Sequence, residues 1–139
     1  MLDDLLCGDL SDFDKIKKPW GYEVVWANSS LDTGYVGKLL HISAGHRLSL
    51  QFHKEKEETI FVKSGTLYLE TIGCVTGLGD LGDRFSGRKV FRLLPGSVFH
   101  IPRLFTHRFM AKETSVELIE VSTKQLEDVV RIEDDYGRQ

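Results

Sequence analysis

The sequence predicts an all-β domain, a sandwich or barrel of short strands. Two observations carry this. From Tyr35 onward, short runs rich in β-branched and aromatic residues follow one another, separated by Gly, Pro or Asn-Ser punctuation. Only residues 123–127 read as a helical turn in that stretch. With 139 residues, the chain is one domain of ordinary size, long enough to bury a core without disulfides.

Taken in order, residues 1–16 form an arm, rich in aspartate and leucine, that reads either as a short amphipathic helix or as a mobile segment; residues 17–139 form the domain. Lys18-Pro19-Trp20-Gly21 is a turn signal, and residues 22–26 then read as a strand. Further strands are expected at 35–43, 47–53, 58–63, 66–72, 89–94, 97–101, 107–110, 116–122 and 128–133. Ser64-Gly65 and Pro95-Gly96 mark tight turns between them. The glycine-rich stretch 73–89 lacks the Gly-Lys-Ser/Thr ending of a phosphate loop. It reads as a long hairpin connection, with a lid over a site as the functional alternative.

Composition narrows the function classes. Net charge is −3, and the 18 basic residues are scattered. This excludes a nucleic-acid or membrane surface as the main partner. The acidic N-terminus has no basic leader, and no apolar run is long enough to span a bilayer. Cys7 and Cys74 show no metal-type spacing and read as free thiols. We therefore expect a soluble, cytoplasmic protein.

Residues 45–65 hold the chemistry. Gln51 and His53 are two apart on an expected strand, so their side chains share a face. After a charged turn the next strand brings Glu58 back beside them. His107 is the candidate fourth ligand. Each alone has a plainer reading: a structural histidine, an amide bonded to backbone, a glutamate paired with Lys56 or Lys63. Together, two imidazoles, a carboxylate and an amide oxygen suit a divalent metal, with Zn, Fe(II), Mn and Co all open. His41 and His100 read as structural.

The spacing of these residues resembles the two cupin motifs. Gly45, Gln51, His53, Glu58 and Gly65 match the first, and Gly96, Pro102 and His107 the second. Gln51 replaces the usual first histidine, Leu104 a glycine, and Ala111 a common asparagine. Glutamine at the first position resembles the C-terminal domain of type II mannose-6-phosphate isomerases, often fused to a mannose-1-phosphate guanylyltransferase. The pieces K-P-W-G, L-S-L-Q-F-H, S-G-T, I-P-R-L-F-T-H-R, E-L-I-E-V and V-V-R-I-E-D-D-Y-G-R carry that likeness, in order, over most of the chain after residue 17.

The resemblance implies a double-stranded β-helix, the cupin jelly-roll barrel, with a metal held inside by Gln51, His53, Glu58 and His107. It also implies pairing as a homodimer. The activity it implies is interconversion of mannose 6-phosphate and fructose 6-phosphate. On that reading Lys38, Arg47, Arg103 and Arg108 are candidates to hold the sugar phosphate. Arg131 would stabilise the enediolate, and His46 and Glu57 are candidate bases. Two rival readings stay open: an Fe(II) or Mn cupin oxygenase acting on a small organic substrate, and a non-catalytic barrel that binds a sugar or nucleotide-sugar.

Overall fold

The computed structural model describes residues 6–74, 87–124 and 127–139. Eleven strands are found among them: β1 (Ile16–Lys18), β2 (Gly21–Asn28), β3 (Tyr35–Ile42), β4 (Leu50–Phe52), β5 (Glu58–Ser64), β6 (Leu67–Cys74), β7 (Lys89–Leu93), β8 (Val98–Ile101), β9 (Phe105–Met110), β10 (Val116–Thr123) and β11 (Val130–Glu133). They form a six-stranded sheet, β1-β2-β3-β10-β5-β8, facing a five-stranded sheet, β11-β4-β9-β6-β7. All pairings are antiparallel. This is a jelly-roll barrel, as expected.

Alternation sets which residues enter the barrel. On β5, Glu58, Ile60 and Val62 are buried while Phe61 and Lys63 are exposed. On β10, Val116, Leu118, Glu120 and Ser122 are the buried set. One end of the interior is apolar, built from Ile42, Val62, Leu67, Leu69, Phe105 and Leu118. Burying each such side chain contributes about 1.5–3 kcal/mol. The other end collects Glu58, Glu120, Lys38 and His107 inside the same walls. A barrel wall supplies inward positions on both sheets, so polar side chains from different strands converge there.

Some bounds differ from expectation. Ile16–Lys18 pairs with Gly21–Glu23 as a strand, although Ile-Lys-Lys carries little β signal. The first-motif strand is only Leu50–Phe52, and Arg47 makes an isolated bridge to Met110. β9 starts at Phe105, two residues early, and Thr123 ends β10 rather than opening a helical turn. The remainder of that expected turn includes residues 125–126, outside the described set. So are residues 75–86 of the glycine-rich connection and residues 1–5 of the arm. Within the described arm, Leu10–Asp12 is a 3-10 turn closed by Asp9, whose side chain accepts from the Ser11 N–H. Among the described residues, no helix is long and apolar enough to cross a membrane.

Two turn positions explain their residues. Gly65 has φ +76°, and a Cβ there would sit 2.2 Å from the Ser115 carbonyl oxygen, so only glycine fits. Leu104, where the cupin motif has glycine, adopts φ 67°. Its backbone N–H donates to the His53 carbonyl oxygen at 2.6 Å, tying the second motif to the first.

Candidate metal centre

Gln51 on β4 is the register partner of His107 on β9, and Arg131 on β11 is the partner of Gln51. These three therefore lie in one row across the five-stranded sheet. Glu58 reaches in from the opposing sheet. His107 Nε2 lies 3.2 Å from Glu58 Oε1, and His53 Nε2 lies 3.9 Å from Glu58 Oε2. One ligand atom from each of His53, Glu58 and His107 falls within 4.8 Å of the others, and all three residues are buried.

The imidazoles are oriented from behind. His107 Nδ1 donates to the Phe105 carbonyl at 2.9 Å, and His53 Nδ1 donates to the Asp128 carbonyl. A carbonyl only accepts, so each Nδ1 carries a proton, and the tautomer that could ligate turns its Nε2 lone pair inward. His107 Nε2 and Glu58 Oε2 are buried with no hydrogen-bond partner. A lone pair on His107 thus faces a carboxylate at short range, an arrangement that a cation between them resolves. Burial also depresses the His53 imidazole below its ordinary value, which favours the neutral, ligating form. The residues fit a divalent metal on these grounds.

Gln51 sits next to them differently. Its Oε1 accepts from Ser49 Oγ at 2.6 Å, and its Nε2 lies 3.3 Å from His53 Nε2. Ligation through its oxygen requires the amide turned over, with Ser49 then accepting from the NH₂ group.

The site opens into a cavity whose walls carry Lys18, Glu23, Lys38, Lys56, Glu120, Arg131 and Arg138, with Trp20, Leu40, Leu48 and Phe109 as its apolar part. The charges form linked pairs. Glu23 takes Lys18 at 3.3 Å and Lys38 at 3.2 Å. Lys56 Nζ is 3.0 Å from Glu58 Oε2, an ion contact without hydrogen-bond geometry, and 3.5 Å from Glu120 Oε2. Arg138 grips Asp134 through Nε and Nη2. Arg131 donates to the Gln139 backbone oxygen, while its Nε is buried without a partner.

Burial alone would raise Glu58, but the charge of the Lys56 ammonium beside it holds it well below the usual carboxylate range. Burial and the neighbouring Glu58 charge push the Glu120 carboxyl up to about 7. Burial opposes the Lys56 charge, yet Glu120 and Glu58 outweigh it and raise that ammonium above its ordinary value.

Of the cations expected to hold a phosphate, Lys38 lines this cavity and the others do not. Arg108 is 1% exposed and donates to the Leu48 and Glu133 carbonyls, on the outer side of β9. Arg47 is bound to Asp135 at 2.6 Å. Arg103 is exposed in the turn before β9. Of the catalytic candidates, Arg131 is on the wall; His46 is exposed, its Nδ1 on the Ala44 carbonyl, and Glu57 is an exposed turn residue near His100. His41 packs flat on Tyr22 and contacts Glu117 at 3.1 Å.

Sequence reasoning missed Lys18, Glu23, Lys56, Glu120 and Arg138 as parts of the site. A signal existed for Lys18, Glu120 and Arg138: they lie in the pieces K-P-W-G, E-L-I-E-V and V-V-R-I-E-D-D-Y-G-R.

No family model matches the chain. It is 32% identical over 130 residues to the xanthan biosynthesis protein XanB of Xanthomonas campestris pv. campestris, covering 89% of this chain and 24% of that protein. The chain thus spans about a quarter of the length of this relative. Among solved structures it is similar to KdgF from Halomonas sp., with TM-score 0.65 and 17% identity over 85% of this chain and 94% of that one. It is also similar to the capsular polysaccharide assembling protein CapF from Staphylococcus aureus, with TM-score 0.69 and 14% identity over 87% of this chain and 32% of that one. These structural neighbours are cupin-type proteins, and the fold of this chain is the cupin jelly roll.

Proposed function

We propose that the chain is a divalent-metal-dependent sugar-phosphate isomerase that interconverts mannose 6-phosphate and fructose 6-phosphate. The observation that carries this reading is the inward-facing His53, Glu58 and His107 set beside a cavity walled by cations. The likeness to a xanthan biosynthesis protein and to a capsular polysaccharide assembling protein supports a role in supplying sugars for polysaccharide.

His53, Glu58 and His107 would hold the metal, with Gln51 as the added ligand once its amide turns. Bound there, Zn, Mn, Co or Fe(II) supplies a Lewis acid that polarises a sugar carbonyl and favours developing negative charge on oxygen. The residues around it do the remaining work. Arg131, whose buried Nε lacks a partner, and Lys18, which shares Glu23 with Lys38, offer donors to a phosphate or to an oxyanion of the substrate. Glu120 is a carboxylate on the cavity wall beside the metal-facing set and is the candidate to move a proton between C1 and C2. Trp20 and Phe109 supply apolar wall that keeps bulk water from the reacting carbons.

A homodimer belongs to the same proposal. Phe61, Val98 and Val121 are exposed on the outer face of the six-stranded sheet and offer an apolar surface to a second copy. Light scattering giving twice the chain mass would support it, and a monomer mass at micromolar concentration would remove it.

The test of activity is a coupled assay on protein stripped with chelator and reloaded with Zn, Mn, Co or Fe(II). Metal-dependent conversion of mannose 6-phosphate that disappears in His107→Ala is expected. No turnover with any ion, in protein shown to hold one metal per chain, would sink the isomerase and leave oxygen consumption or sugar binding to be measured.

A further inference from the structure

Lys56 lies in the turn between β4 and β5, where a lysine ordinarily extends into water. Here it is 5% exposed. The turn is pinned from outside: the Lys54, Glu55 and Lys56 N–H groups all donate to the Asp128 carboxylate, at 3.2, 2.6 and 3.0 Å. Asp128 also accepts from His53 Nδ1 through its carbonyl. One residue thus fixes both a metal-facing imidazole and the turn that sends Lys56 inward. A buried ammonium is costly unless paired. Lys56 has two partners on neighbouring strands, Glu58 of β5 at 3.0 Å and Glu120 of β10 at 3.5 Å.

Glu58 is also the only carboxylate of the metal-facing triad. Its Oε2 therefore has two claimants, the Lys56 ammonium and a divalent ion. Both are positive, and charges a few ångströms apart in a buried site repel strongly. We propose that Lys56 is a built-in competitor for the metal, seated on Glu58 when the ion is absent and displaced onto Glu120 when it binds. The second carboxylate makes the exchange possible, because Lys56 leaves Glu58 without losing its last partner. The consequence is a metal affinity set below what His53, Glu58 and His107 would reach alone, so the ion stays exchangeable. This inference rests on the metal-centre reading but not on the isomerase activity.

The test measures dissociation constants for Zn²⁺ and Mn²⁺ by competition with a chromophoric chelator, in wild type, Lys56→Gln and Lys56→Arg. Lys56→Gln should bind about tenfold more tightly or better, because a like charge is gone, while Lys56→Arg, which keeps the charge, should stay near wild type. Equal or weaker binding by Lys56→Gln, or equal tightening in Lys56→Arg, overturns the proposal. Wild type that binds neither ion overturns both it and the metal-centre reading. If Lys56→Gln does not fold, wild-type crystals with and without Zn²⁺ decide: Lys56 Nζ must leave hydrogen-bond distance of Glu58 and remain on Glu120 in the loaded form. An unmoved Lys56 beside a bound ion sinks the idea.

Discussion

His107 and Glu58 face each other at 3.2 Å from opposite sheets of the barrel, His107 from β9 and Glu58 from β5. The site is therefore a clasp across the interior. Each partner is 2% exposed or less, so water screens their interaction little. A cation held between them would join the two sheets directly, so metal binding would also be a stability effect.

The first prediction follows from that clasp. Adding Zn²⁺ or Mn²⁺ at a hundredfold excess over the dissociation constant should stabilise wild type by about 2.7 kcal/mol, as for a ligand bound only by the folded state. Differential scanning calorimetry checks it. The stabilisation should vanish in His107→Ala and in Glu58→Gln. A metal-dependent rise in Tm of the same size in either variant would put the ion elsewhere.

Leu104 gives the second. Its φ of 67° lies in the left-handed region, which disfavours a side-chain-bearing residue by about 1–2 kcal/mol. The bond from its N–H to the His53 carbonyl holds it there. Leu104→Gly should raise stability by about 1 kcal/mol in urea unfolding, with metal affinity unchanged. A clear loss of stability would mean that the half-buried leucine side chain contributes more than the strain removes.

These two residues also show what the sequence made legible. His107 and Leu104 stand at motif positions, and the motif spacing is local: i and i+2 on one strand, then one turn to Glu58. The strands were readable for the same reason, since alternation is a neighbour-to-neighbour property. Lys56 was not readable as a site residue, and strand alternation did not place Glu120 inside either. A lysine in Lys-Glu-Lys-Glu-Glu reads as solvated, and its inward turn is set by Asp128, far along the chain. On β10, Ile119 and Val121 alternate with Leu118 and Glu120, so both faces carry apolar residues and the pattern does not say which is inside. Arg108 misled for a related reason. Its bonds go to Leu48 and to Glu133, and nothing in I-P-R-L-F-T-H-R announces either.

A third prediction concerns pH. Asp134 accepts from the Arg138 N–H at 2.7 Å and from its guanidinium at 2.9 and 3.1 Å. The Arg138 hydrogen bond holds the Asp134 carboxyl below its ordinary value of 3.8. A depressed carboxyl binds fewer protons when folded than when unfolded. Its stabilisation is therefore present above 3.8 and is lost as pH falls through the lower folded value. The Tm difference between wild type and Asp134→Asn should hold from neutral pH down to that region and shrink below it. A difference that grows on acidification would contradict the ion pair.

Arg108 supplies the last. Its guanidinium is 1% exposed, donates to Leu48 O at 2.9 Å and Glu133 O at 3.2 Å, and lies 4.0 Å from the Glu133 carboxylate. Burial depresses its basicity, and the nearby Arg47 charge adds to that. The two backbone oxygens belong to the segment leading into β4 and to the end of β11, the strands that carry Gln51 and Arg131. Arg108 thus positions the cavity wall from outside it. Arg108→Ala strips both carbonyls of their donor and should destabilise the fold by about 3 kcal/mol in urea unfolding. A phosphate ligand would be unaffected in kind: any loss of sugar-phosphate affinity should track the unfolded fraction. A variant of wild-type stability with a selective rise in KM would return Arg108 to the substrate.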